Sequence, residues 1–238
     1  GSAEPVLAES WEAVEPTRWR FTLKDGIAFS NGAAFNADAV VATIEYLMTE
    51  DGRASSVGGE VRNISGVEKV DDMTVDILTS GPDPVLPNKL GLVYIVEAGA
   101  WAELGPEGYA ETPVGTGSFE ISGWGAGDAQ LVANADSWRA PSIDGVTVIE
   151  LPERAARLQA LLSGQIDVGF GFSPDNIAQM EGADISVVAT PAPQVMSLAF
   201  TTEAHPDSPF NDVRVRQAAN LAVNRDLIAE VLLGGLGK

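Results

Sequence analysis

"TRWRFTLKDGIAFSNGAAFNADAVVATIEYLM", residues 17–48, changes its hydrophobic period partway along. Up to Leu23, the residues Trp19, Phe21 and Leu23 alternate with Arg18, Arg20 and Thr22. That two-residue period predicts a strand with one buried face, ended by the turn pair Asp25-Gly26. From Asn36 the spacing is helical. Asn36 stands as the N-cap with Asp38 in the first turn, and Val40, Val41, Ile44, Leu47 and Met48 line one face. A strand followed by an amphipathic helix predicts a sheet with a helix packed on it.

Working outward, "ISGVEKVDDMTVDIL" at 64–78 reads as two strands joined at Asp71-Asp72, and residues 81–91, with three prolines, read as irregular chain. Past residue 112 the rhythm changes. "SFEISGW" and "AQLVAN" read as strands around a turn rich in glycine, followed by a strand "VTVIEL" and a helix "ERAARLQALLSG". Then come a strand "IDVGF", a short helix from Ser173, and strands "ISVVA" and "VMSLAF". Such alternation predicts an α/β layer built partly on parallel pairing. In the helix over 153–163, Leu158, Leu161 and Leu162 are the core candidates, and Gly164 stands where a left-handed residue ends a helix. Farther on, "FNDVRVRQAANLAVNRDLI" at 210–228 reads as a helix capped by Asn211 or Asp212, with an Asp212–Arg216 pair four residues apart. Its arginines read as structural, and Asn224 as the cap of the next helix.

Composition excludes several functions. The formal charge is −20, from 34 acidic and 14 basic residues, which argues against nucleic acid, whose phosphates require clustered Lys and Arg. There is no cysteine, hence no disulfide, thiol nucleophile or thiolate metal site. The single histidine, His205, stands in a polar loop, so a catalytic triad or a zinc site using two histidines is not expected. Neither a Gly-x-Ser-x-Gly elbow nor a Walker sequence is present. No catalytic residue, metal site or cofactor is therefore expected. With so many carboxylates a carbohydrate hydrolase using a carboxylate pair stays open, as does a docking module.

The motifs "LAESWE" (7–12), "WRFTLKDGIAFSNGAAFNADAVVATIE" (19–45), "TPVGTGSFEISGW" (112–124), "LLSGQIDV" (161–168) and "SPFNDVRVRQAANLAVNRDLI" (208–228) occur in order along the chain. Together they resemble the family 5 extracellular solute-binding proteins of ABC importers, the dipeptide, oligopeptide and nickel-binding group. "NADSWRAPSID" at 134–144 is similar to that family's Asn-x-x-Tyr-Trp segment, with Ser137 where tyrosine is usual.

The resemblance implies an α/β, periplasmic binding protein-like fold of the class II type. It implies a first lobe carrying an inserted α+β subdomain, with the second lobe mostly missing. The expected divisions are 3–115 for the subdomain, 116–210 for the lobe core and 211–238 for the start of the crossover to the second lobe. It also implies capture of a short peptide in an interlobe cleft for delivery to a membrane permease, with nickel chelates or other small solutes as the alternative. The protein is then expected to be a monomer, periplasmic or extracellular, associated with the membrane only through the permease and not inserted in it.

Ligands of open α/β sheets sit beyond strand carboxyl ends. Two such ends are the candidates: Gly171, Phe172 and Ser173 after "IDVGF", and Val195, Met196 and Ser197 in "PQVMSLAF". The first pairs a ring with a hydroxyl at a helix start, and the second follows two prolines. From the subdomain, Leu92 and Tyr94 are expected at the rim, as the matching region is in the family.

Overall fold

A computed structural model describes residues 3–189, 197, 199–200 and 205–236. The chain forms two compact units, the first ending at Glu150 and the second beginning at Leu151. The first unit holds two sheets.

The first sheet holds β1 (Ala8–Glu15), β2 (Arg18–Leu23), β3 (Ile64–Asp71) and β4 (Thr74–Thr79) in the order β1-β2-β4-β3, every pair antiparallel. Helix α1 (Ala37–Met48) lies against β3 and β4. Its Asn36 cap accepts from the N–H of Asp38 at 3.0 Å and of Ala39 at 3.4 Å. The alternation in β2 sends Phe21 and Leu23 into a core with Val75, Ile77, Ile44 and Leu47. The opposite face of the sheet is charged. Arg20 stands opposite Glu12 on one side and Asp76 on the other, and Asp76 stands opposite Glu68. Asp76 is only 1 % exposed, yet both Arg18 and Arg20 reach it, at 3.0 and 2.7 Å.

After the short helix α2 (Glu50–Ala54), the segment expected to be irregular contains a turn of helix, α3 (Leu86–Leu90), with Pro87 in its first turn, where a missing N–H costs nothing. The buried Asp83 anchors it by accepting from Lys89 Nζ at 2.7 Å and Asn63 Nδ2 at 2.8 Å. Helix α4 (Ala98–Glu111) is broken at Gly105, whose φ of 66° precedes Pro106. A second sheet follows, of β5 (Phe119–Trp124), β6 (Asp128–Ala133) and β7 (Gly145–Ile149), again antiparallel throughout.

In the second unit, α5 (Arg154–Leu162) buries Leu158 and Leu161 against Met180 of α6 (Ile177–Glu181), and Gly164 ends α5 at φ 72°. Residues 166–170 and 185–189 are not strands. A strand exists only through a ladder, and the described residues supply these segments with no neighbour. The parallel pairing expected from the strand–helix alternation is accordingly absent among the described residues.

Of the carbonyls of these segments, that of Phe170 is taken by a guanidinium. Arg157 donates to the oxygens of Leu151 (2.5 Å), Pro152 (2.9 Å) and Phe170 (3.1 Å). In helix α7 (Val213–Ala222), Asp212 caps by accepting from Arg214 N, and it pairs with the Arg214 side chain, not with Arg216. Arg216 reaches back to the carbonyls of Phe210 and Asn211 and so serves the backbone. Asn224 caps the following turn through Leu227 N at 3.0 Å.

Candidate functional site

The first unit contains a cavity of about 830 Å³ between the apolar face of the first sheet, the loop 91–96 and the segment 113–117. That volume lies within the range of small-molecule sites. Its floor is core: Trp11, Phe21, Ile44, Val75 and Ile77. Leu92 and Tyr94 stand on its wall, 52 % and 91 % exposed. The structure thus brings these two together, at the mouth of a cavity whose extent the sequence did not show.

Both ends of the loop bearing them are tied. Val93 N donates to Leu90 O at 3.0 Å, and Val96 N donates to the hydroxyl of Thr43, which itself donates to Ala39 O within α1. Glu97 N donates to the Tyr109 hydroxyl at 2.9 Å, and that hydroxyl donates in turn to Val114 O. Burial pushes the Tyr109 phenol up from its usual range, so it remains a donor at neutral pH. Burial also pushes the Glu97 carboxyl up, but donors from Ala100 N, Gly99 N and Asn31 outweigh it and hold the group below its usual range. Glu97 is thereby an ionised cap for α4.

The opposite wall, 113–117, is defined by what holds its carbonyls. Tyr109 takes that of Val114, and Ser30 N takes that of Gly115 at 2.9 Å. Trp138 Nε1 takes that of Thr116 at 3.1 Å, and Asn134 Nδ2 that of Gly117 at 3.4 Å. The segment "NADSW" therefore serves to clamp "VGTG", with buried Ser137 also donating to Thr116 O. Meanwhile the N–H groups of Val114, Gly115, Thr116 and Gly117 donate to nothing among the described residues. Among the described residues, Glu4 is the one side chain of formal charge on the lining.

The other candidates lie in the second unit. Gly171 has φ 75°, a conformation a side chain would strain, and its carbonyl is 3.5 Å from Arg157 Nη2. The Phe172 ring packs with Leu158, Leu161 and Met180, close enough to Gly169 that a Cβ there would meet it at 2.8 Å. Phe170, by contrast, is 80 % exposed. Ser173 turns its hydroxyl and its N–H onto Asn176 Oδ1, at 3.0 and 3.3 Å, and a three-residue 3-10 turn follows it and runs into α6. The arrangement gives Phe172 a packing duty. Phe172→Ala is expected to lower the unfolding free energy by about 2 kcal/mol, read by urea denaturation. A loss under about 0.5 kcal/mol would mean the ring adds nothing to this small core. Ser197 is exposed, while Val195 and Met196 lie outside the described residues.

Among the described residues no three His, Asp or Glu side chains gather as a metal site, and no helix is long and apolar enough to cross a membrane.

The family model "Bacterial extracellular solute-binding proteins, family 5 Middle" matches residues 2–238. Heme-binding protein A of Haemophilus influenzae is 28 % identical over 98 % of this chain and 47 % of its own length. Di/tripeptide-binding protein 3 of Pseudomonas aeruginosa is 28 % identical over 99 % of this chain and 49 % of its own. Among solved structures, MoaA of A.tumefacien R10 in complex with mannopinic acid superimposes with a TM-score of 0.74 at 31 % identity, covering 96 % of this chain and 47 % of that one. The chain thus spans just under half the length of each of these three proteins.

Proposed function

The chain belongs to family 5 of the bacterial extracellular solute-binding proteins, and on that premise we propose that it is part of the solute-capturing component of an ABC importer, holding a short peptide for a membrane permease. The observation that carries this is the family match over residues 2–238. Closure of two lobes around a ligand is an established motion of periplasmic binding proteins, and is adopted here as such.

Peptides are the favoured class because four successive backbone donors without an internal acceptor, at 114–117, suit main-chain recognition. A relative described as binding di- and tripeptides supports this choice. The protein works without catalysis or a cofactor, as a monomer, in the periplasm or outside the cell. It meets the membrane only through the permease.

The test is mass spectrometry of small molecules released by denaturation from protein purified without prior unfolding. Short peptides are expected. Release of a chelated metal or an opine would replace the peptide by another solute, and turnover of chromogenic glycosides with nothing released would overturn the reading.

A further inference from the structure

Resting on that solute-binding reading, we propose that the cavity of the first unit receives an uncharged apolar group of the solute, a branched aliphatic or aromatic side chain, with its adjoining carbonyl held at the 114–117 backbone. Three features converge on this chemistry. The floor is apolar: Phe21, Ile44, Val75 and Ile77 are core residues at most 6 % exposed, and the indole N–H of Trp11 is its one polar group. Among the described residues no lysine, arginine, histidine or aspartate lines the cavity, and its one carboxylate, Glu4, is exposed, so an ionic side chain buried on the apolar floor would lose its hydration with no counter-ion beside it. The single carboxylate, Glu4, lies in the segment that leads into β1.

The third feature is the wall. Every carbonyl from Val114 to Gly117 is drawn into the fold by Tyr109, Ser30, Trp138 or Asn134. The N–H groups of the same residues are left to water or to a ligand. A carbonyl oxygen satisfies such donors, and an apolar side chain attached to it is the one substituent the floor accepts. Specificity then comes from the contrast between a polar wall and an apolar floor. An amino acid residue inside a peptide carries both parts.

The experiment titrates the 238-residue chain with N-acetyl-leucine methylamide, and in parallel with the alanine and lysine analogues. Two signals are read: the amide resonances of Val114 to Gly117, and tryptophan emission compared with that of Trp11→Phe. The leucine probe is expected to shift those four amides and to change an emission component that Trp11→Phe abolishes. The alanine and lysine probes are expected to bind at least tenfold more weakly. Val6→Trp, which enlarges a half-exposed lining side chain, is expected to lose the response while its circular dichroism matches the parent. Equal binding of the lysine probe, or binding that leaves the four amides unmoved, overturns the proposal. If the leucine probe does not bind but peptides are released from the purified protein, the cavity assignment fails and the solute-binding reading stands. If neither is seen, both fail.

Discussion

Replacing Asp76 by alanine is expected to lower the unfolding free energy by about 2–3 kcal/mol, one of the largest single losses on the charged face of the first sheet. The carboxylate is buried between two guanidiniums, bound by Arg20 through Nε at 2.7 Å and Nη2 at 2.8 Å and by Arg18 at 3.0 Å. Such charge-assisted, two-pronged bonds are the stronger class. Removing the carboxylate strands two cations beside an apolar gap. The loss stops short of the largest values for buried pairs because the Arg18 and Arg20 side chains keep 25 % and 40 % of their exposure and can turn back to water. Glu68→Gln should cost far less, since Glu68 is 55 % exposed and its pair with Arg18 is screened. Urea midpoints at neutral pH measure both, and equal losses would mean that burial does not set the strength of these pairs.

The same carboxylate makes stability depend on acid. Hydrogen bonds from Arg20, and then from Arg18, hold the Asp76 carboxyl below its usual range against the opposing effect of burial. A group whose folded value is depressed contributes stability above its unfolded value, about 3.9. That contribution is lost as pH falls through the folded value. Stability should therefore decline as the pH drops below about 4, and the decline should be shallower in Asp76→Asn, which has no proton to take up. Asp83 and Glu97, also held below their usual range, add to the parent's slope and remain in the variant.

How much of this could be read beforehand follows from what local chemistry reports. The β2 alternation, the Asn36 cap and the Asp71-Asp72 junction are local facts, and each appears in place. The strands expected at 166–170 and 185–189 depended on neighbours that a period cannot reveal. Phe170 and Phe172 show the same limit at the scale of one residue. Two positions apart on a strand, they would share a face. Gly171 at φ 75° turns the chain between them, so one ring is exposed and the other packs on Leu158. Leu92 and Tyr94 came from resemblance, and no pattern in "GLVYIV" announced a cavity. The cavity is a product of packing, made where a sheet face, a tethered loop and a clamped segment meet.

That clamped segment is where the second large loss is expected. Trp138→Ala should cost about 3 kcal/mol, the low end for a tryptophan truncated in a packed site because its ring is only half-buried. The ring packs against the first core, with Lys24 Nζ 4.7 Å and Arg139 Cζ 5.2 Å from its centroid, and its Nε1 fixes Thr116 O at 3.1 Å. Trp138→Phe separates these roles. It keeps most of the packing and forfeits one hydrogen bond, so its loss should stay near 1 kcal/mol. Yet Phe should disturb the 114–117 amides more than its small cost suggests, because Thr116 O then keeps only the 3.4 Å bond from Ser137. Urea denaturation and the amide chemical shifts of 114–117 read the two effects independently. Should Trp138→Phe leave those shifts unchanged, Tyr109, Ser30, Ser137 and Asn134 hold the wall without the indole, which then contributes packing alone.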